Sequence, residues 1–137
     1  MAVQSLHHVG IAVRSIDVQR AYYEGMLGAQ FEGIEIVPDQ QVRVAFFRWD
    51  SMRLELLEPT DSSSPIQTFL DKRGEGLHHV AFAVDDIQAR LSEFKSAGFR
   101  LIDEVPRPGA HQMQIAFIHP KSTFGVLTEL CEPIRKE

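Results

Sequence analysis

The chain is poor in the features that would staple it, anchor it or fit it to nucleic acid. It has one cysteine, Cys131, so no disulfide can close within it, and a reducing compartment is expected. No apolar run reaches the roughly 18 residues needed to span a bilayer, and no membrane partner is expected. Residues 1–5 carry neither a signal peptide nor an arginine-rich transit pattern, so the expected address is the cytoplasm. Positive charge is also scarce. Fourteen Lys and Arg face nineteen Asp and Glu, giving a net charge of -5. Phosphate backbones need a basic footprint, so a nucleic-acid partner is not expected.

What is there is an ordinary globular composition, 44% hydrophobic and 24% charged, in a chain that fits one domain of 137 residues. The chain also repeats itself. Residues 6–16 read LHHVGIAVRSI and residues 77–87 read LHHVAFAVDDI, identical at seven of eleven positions with an offset of 71. LELLEP at 54–59 returns as TELCEP at 128–133, and VAFF at 44–47 returns as IAFI at 115–118. Two copies are too few for a solenoid. They imply an α+β fold of two βαβββ modules in one domain over 1–137, its mixed sheet curled around a cleft. Module one covers about 5–59, a connecting segment about 60–76 and module two about 77–133.

The strand period sorts the side chains of each repeat. His7–Val13 alternates, so His8, Gly10 and Ala12 share one face and His7, Val9, Ile11 and Val13 the other. The second copy sets His79, Ala81 and Ala83 against His78, Val80, Phe82 and Val84. The bulky face is expected under a helix. The face of tiny residues leaves room beside His8 and His79.

A helix capped by Ser15 or Asp17 is expected to run to about Leu27 and stop at Gly28; its counterpart starts at Asp85 or Asp86 and stops at Gly98. Strands are expected at Phe31–Val37, Gln41–Trp49, Met52–Leu57, Arg100–Glu104, Met113–His119 and Gly125–Cys131. A short helix is expected at Ile66–Lys72, a loop at Pro106–Gln112 and a frayed tail at Ile134–Glu137.

Histidines and glutamates at duplicated positions form a candidate four-ligand metal site, which suits a divalent ion such as Zn, Ni, Co, Mn or Fe. Glu55 and Glu129 lie inside their strands, where a buried carboxylate needs a cation to justify it. Glu58 and Glu132 precede Pro59 and Pro133 at strand ends and read as solvated charges. His111 and His119 have no counterparts in the first module and read as loop or strand-end residues. Cys131 reads as a small buried hydrophobe.

The repeated pattern with His…Glu…His…Glu resembles the vicinal oxygen chelate superfamily, the glyoxalase/bleomycin-resistance fold. HHVGIAV (7–13), ELLEPTDSSSPI (55–66), FLDKRGEGLHHVAF (69–82), IDEVPRPGAH (102–111) and above all IAFIHPKSTFGVLTELCE (115–132) are similar to methylmalonyl-CoA epimerases. The resemblance implies one divalent ion per subunit (Co, Mn, Ni, Zn or Mg) held by His8, Glu55, His79 and Glu129. It implies a cytoplasmic homodimer of propionate metabolism that interconverts (R)- and (S)-methylmalonyl-CoA through a metal-stabilised enolate. Glu129 is implicated as one base. The position where some epimerases carry a second glutamate is Val44 here, so Glu55 or a water or lysine relay is left for that role. Lys121 and Arg107 are candidates for the phosphates of the acyl-CoA. Two alternatives use the same cup, a glyoxalase I-type lyase acting on a glutathione hemithioacetal and a metal-free binding module of the bleomycin-resistance kind.

Overall fold

A computed structural model of the chain describes residues 3–134. By its contacts the chain divides into two compact units, His8–His78 and the remainder, residues 3–7 with 79–134. The divisions fall inside the two histidine pairs.

β1 (Val3–Ala12), which enters the first unit at His8, leads into α1 (Ile16–Arg20). Ser15 supplies the cap, its side chain accepting from the Val18 amide at 3.2 Å. The helix continues as a π-helical turn over Ala21–Met26, and Gly28 then turns the chain at φ 70°. β2 (Gln30–Val37), β3 (Val42–Trp49) and β4 (Met52–Pro59) follow, in the order β2-β3-β4-β1. β1 and β4 are parallel, with Gly10 opposite Glu55, and the other pairings are antiparallel. α2 (Pro65–Arg73) closes the unit.

The second unit repeats this plan. β5 (Gly76–Val84) runs parallel to β8 (Thr128–Pro133), with Ala81 opposite Glu129. α3 (Ile87–Ser96) is capped by Asp86 rather than Asp85. β6 (Arg107–Pro108) and β7 (Met113–Ile118) complete the order β5-β8-β7-β6.

The side-chain alternation comes out as the repeat predicts. Val13, Ile16, Ala29, Ala45, Phe47 and Leu56 form a core on the helix side of the first unit, with Ile11 packed against it. Val84, Ile87, Leu91, Ala116, Ile118 and Leu130 do the same in the second, with Phe82 beside them. On the other side of the second sheet Ala81, Ile115, Phe117 and Cys131 pack together. Cys131 is the buried small hydrophobe expected of it.

Three expectations need correction. Arg100–Glu104 is not a strand but a single bridge, Leu101 to Ile118. The amides of Ile102 and Asp103 both donate to the Phe117 carbonyl, at 2.9 and 3.2 Å, and the Asp103 carboxylate accepts the Phe117 amide at 2.9 Å. A side chain thus takes an acceptor position that a ladder would have filled. The expected loop at Pro106–Gln112 supplies the edge strand instead, where a proline is tolerated. Finally, β8 starts at Thr128 rather than Gly125, because the amides of Ser122, Thr123 and Gly125 fold back onto His119 and Pro120. Of the expected tail only Ile134 lies within the described residues, and its amide donates to the Gln112 carbonyl at 2.9 Å.

Candidate functional site

Each unit presents one histidine–glutamate pair from two adjacent parallel strands. In the first, His8 Nδ1 stands 3.4 Å from Glu55 Oε2; in the second, His79 Nε2 stands 3.4 Å from Glu129 Oε1. His8, His79 and Glu129 are buried, each about 5% exposed or less. The construction is the same in both. A parallel register sets a glutamate beside a small residue, Gly10 or Ala81, two positions after the histidine. The antiparallel neighbours opposite the glutamates are Phe46 and Phe117, also separated by 71 positions. The Phe117 ring meets His79 edge to face at 5.6 Å and fixes one wall.

Burial pushes the Glu55 carboxyl up to about 8, and the charge of Glu35 adds to the shift. A carboxylate so poorly served by water is stabilised by a cation. Two donors each about 2.1 Å from one ion stand roughly 3.0–3.4 Å apart, so the spacing of each pair suits ligands that share an ion. The donor set, nitrogen with carboxylate oxygen, suits the divalent ions named above.

The first histidine of the second pair goes elsewhere. His78 packs edge to face on Phe69 at 5.0 Å, and burial pushes its imidazole down to about 4. His119 is a strand-end residue whose Nδ1 accepts the Lys121 amide at 3.1 Å. Desolvation, then the charges of Arg100 and Lys121, holds its imidazole below the ordinary value. His111 sits in a short turn with φ 56°. Arg107 lies in β6, 3.3 Å from Asp103, with its guanidinium 5.8 Å from the Phe117 ring centroid. Lys121 is exposed on the 119–126 turn.

The strand-end glutamates are not the solvated charges expected. Glu58 accepts the Ile16 amide at 2.9 Å and Arg43 Nη1 at 3.2 Å. Glu132 accepts the Asp86 amide at 2.6 Å and the Ile87 amide at 3.0 Å. Each therefore anchors the first turn of its own unit's helix, satisfying orphan amides and meeting the positive end of the helix dipole. The signal was available in the repeat, since Ile16 and Ile87 share the offset of 71 and Glu58 and Glu132 that of 74.

Residues 7–117 match the model of the glyoxalase/bleomycin resistance protein/dioxygenase superfamily. The chain belongs to that superfamily. A relative from Bacillus subtilis (strain 168), the uncharacterized protein YqjC, is 48% identical over 93% of this chain and 91% of its own. The ethylmalonyl-CoA/methylmalonyl-CoA epimerase of Cereibacter sphaeroides is 39% identical over 91% of this chain and 95% of its own. The crystal structure of methylmalonyl-CoA epimerase from Mycobacterium tuberculosis superposes with a TM-score of 0.92 at 41% identity, over 98% of this chain and 91% of that one. The resemblance to the epimerases holds, and so does the α+β class, each unit pairing its strands in a mixed parallel and antiparallel arrangement.

Proposed function

We propose that this superfamily member is a metal-dependent methylmalonyl-CoA epimerase in which His8, Glu55, His79 and Glu129 hold one divalent ion. The observation that carries the reading is the duplicated, buried His–Glu pair, built from the same register in both units. It is supported by the burial of His8, His79 and Glu129, three donors of the set. Glu55 joins the set through its pairing with His8. The epimerases among its relatives support the choice of substrate.

When bound, a divalent ion supplies Lewis-acid stabilisation of the negative charge that develops on the substrate. The hydrogen removed is on C2, between the carboxylate and the thioester carbonyl. Glu129 accepts it; this carboxylate is buried beside His79, on which the Phe117 ring packs. The apolar wall of Ala81, Ile115 and Phe117 keeps water from competing for that proton. Lys121 and Arg107 face the phosphates of the coenzyme A moiety, and the charges of Arg100 and Lys121 both act on His119.

The finer features belong to the same proposal: the two units act as one domain, the protein is a homodimer, cobalt is among the ions accepted, and the enzyme works in propionate metabolism in the cytoplasm. No helix among the described residues is long and apolar enough to cross a membrane. The deciding experiment follows solvent deuterium into C2 of methylmalonyl-CoA with metal-replete protein, beside a metal analysis. Exchange that disappears on chelation and returns with metal is the expected result. A metal-replete protein that leaves the C2 hydrogen in place sinks the reading.

A further inference from the structure

Inverting C2 requires a proton to leave one face and another to arrive on the opposite face, so one proton carrier per face. Glu129 serves one. Four glutamates of the first unit have partners that place them in the fold. Glu24 pairs with Arg20, Glu32 with Arg48 at 2.9 Å, Glu58 holds α1, and Glu75 accepts the Arg14 amide and the Gln19 side chain, both at 2.8 Å.

The position of Glu35 follows from the register of the sheet. It lies in β2 opposite Val44, and Val44 lies opposite Leu57. Directly paired residues share a face, so Glu35, Val44 and Leu57 point to the Glu55 side of the sheet rather than the helix side. In a regular strand this could not be so. Position 35 has the parity of Phe31, which packs in the helix-side core. β2 holds one extra residue between Phe31, opposite Phe47, and Ile34, opposite Ala45. Gly33, at φ 108°, accommodates this bulge. The bulge re-aims Glu35 toward the site, a use to which bulges beside active sites are put.

We propose that Glu35 is the second proton carrier, acting on the face of C2 that Glu129 does not serve; this rests on the epimerase reading above. In one direction the Glu35 carboxylate takes the C2 proton and the C–H electron pair passes into the thioester carbonyl. Glu129, entering as the carboxylic acid, then gives its proton to the opposite face. The reverse direction exchanges the roles. Each turnover leaves the two carboxyl groups in swapped protonation states, and exchange with water resets them.

The test is Glu35→Gln in the metal-replete full chain, assayed in deuterium oxide from (R)- and from (S)-methylmalonyl-CoA separately. Metal content should match wild type and epimerisation should fall by about 10²–10⁴-fold. One epimer should still take up deuterium with retention of configuration, and it should be the epimer whose exchange is lost in Glu129→Gln. Should Glu35→Gln fail to fold, Glu35→Thr on the same edge strand gives the same comparison. Undiminished epimerisation overturns the proposal. So does an equal loss from both epimers with a fall in metal content, which would make Glu35 a support for Glu55 only. Wild-type protein that exchanges neither epimer removes the epimerase reading itself, and the role of Glu35 with it.

Discussion

Replacing Glu132 by glutamine should destabilise the protein more than deleting the side chain to alanine. Both Glu132 oxygens are engaged, one by the Asp86 amide at 2.6 Å and the other by the Ile87 amide at 3.0 Å. Glutamine keeps one acceptor and turns an N–H group toward the other amide, so two donors face each other. The lost charge-assisted hydrogen bond is worth about 1.5–3 kcal/mol. The lost interaction with the helix dipole adds about 0.3–1 kcal/mol. Glu132 is half-buried and water can serve part of the need, so a net loss of about 2 kcal/mol is expected. In a chain of this size that lowers Tm by roughly 5–10 °C. Alanine opens the helix end to water and should cost less, about 1 kcal/mol. Glu58→Gln should also be mild, since one oxygen can keep the Ile16 amide while only the bond to Arg43 is given up. Thermal and urea melts of the three variants, with metal present, measure the series. A Glu132→Gln protein that melts within a degree of wild type, or above Glu132→Ala, refutes the reasoning.

Other consequences can be checked on the same material. His8→Ala and His79→Ala should each abolish tight metal binding, whereas His78→Ala should leave metal content unchanged, as read by elemental analysis. His78 also carries a pH signature. Its folded value near 4 lies below the unfolded 6.5, so its contribution to stability is full above about 6.5 and falls with pH down to about 4, by up to about 1.4 kcal/mol per unit. Denaturation of metal-free protein between pH 7 and 4 should show this loss, and His78→Phe should reduce it; equal slopes count against the buried neutral imidazole. Lys121→Ala should raise KM for the acyl-CoA about 10-fold with little change in kcat, and the difference should vanish with a phosphate-free pantetheine thioester. Equal losses on both substrates would exclude a phosphate contact.

Much of this molecule could be read from the chain because the chain was written twice. One histidine pair leaves open which ring faces where. Two pairs, each followed by Gly or Ala at alternate positions, fix the face of His8 and His79. What escaped were features decided by single atoms. Asp103 puts a side-chain oxygen where a strand was expected, and nothing in its neighbours announces that. Glu58 and Glu132 looked solvated because strand ends usually are, while their partners are helix amides some 42 and 45 residues away. Glu35 escaped for a different reason. Strict alternation from Phe31 sends it to the wrong face, and only the pairing with β3 reveals the extra residue at the bulge.

The glutamates within each Glu-Leu-x-Glu-Pro run are three residues apart, and the pleat sends them to opposite sides of the sheet. One inserted or deleted residue between them would turn the anchor of the helix toward the side of His8 or His79, or the inner carboxylate toward the helix. Either slip disables two structures at once, in whichever half it occurs. Length variation among descendants of the ancestral duplication is therefore expected in the hairpins and in the stretch after Pro59, where it disturbs neither. A gap opened inside the run by an alignment would be physically wrong, however well it scored. The residue occupying the third place, Leu57 in one half and Cys131 in the other, is free to drift within the limits of packing. The count is what was inherited.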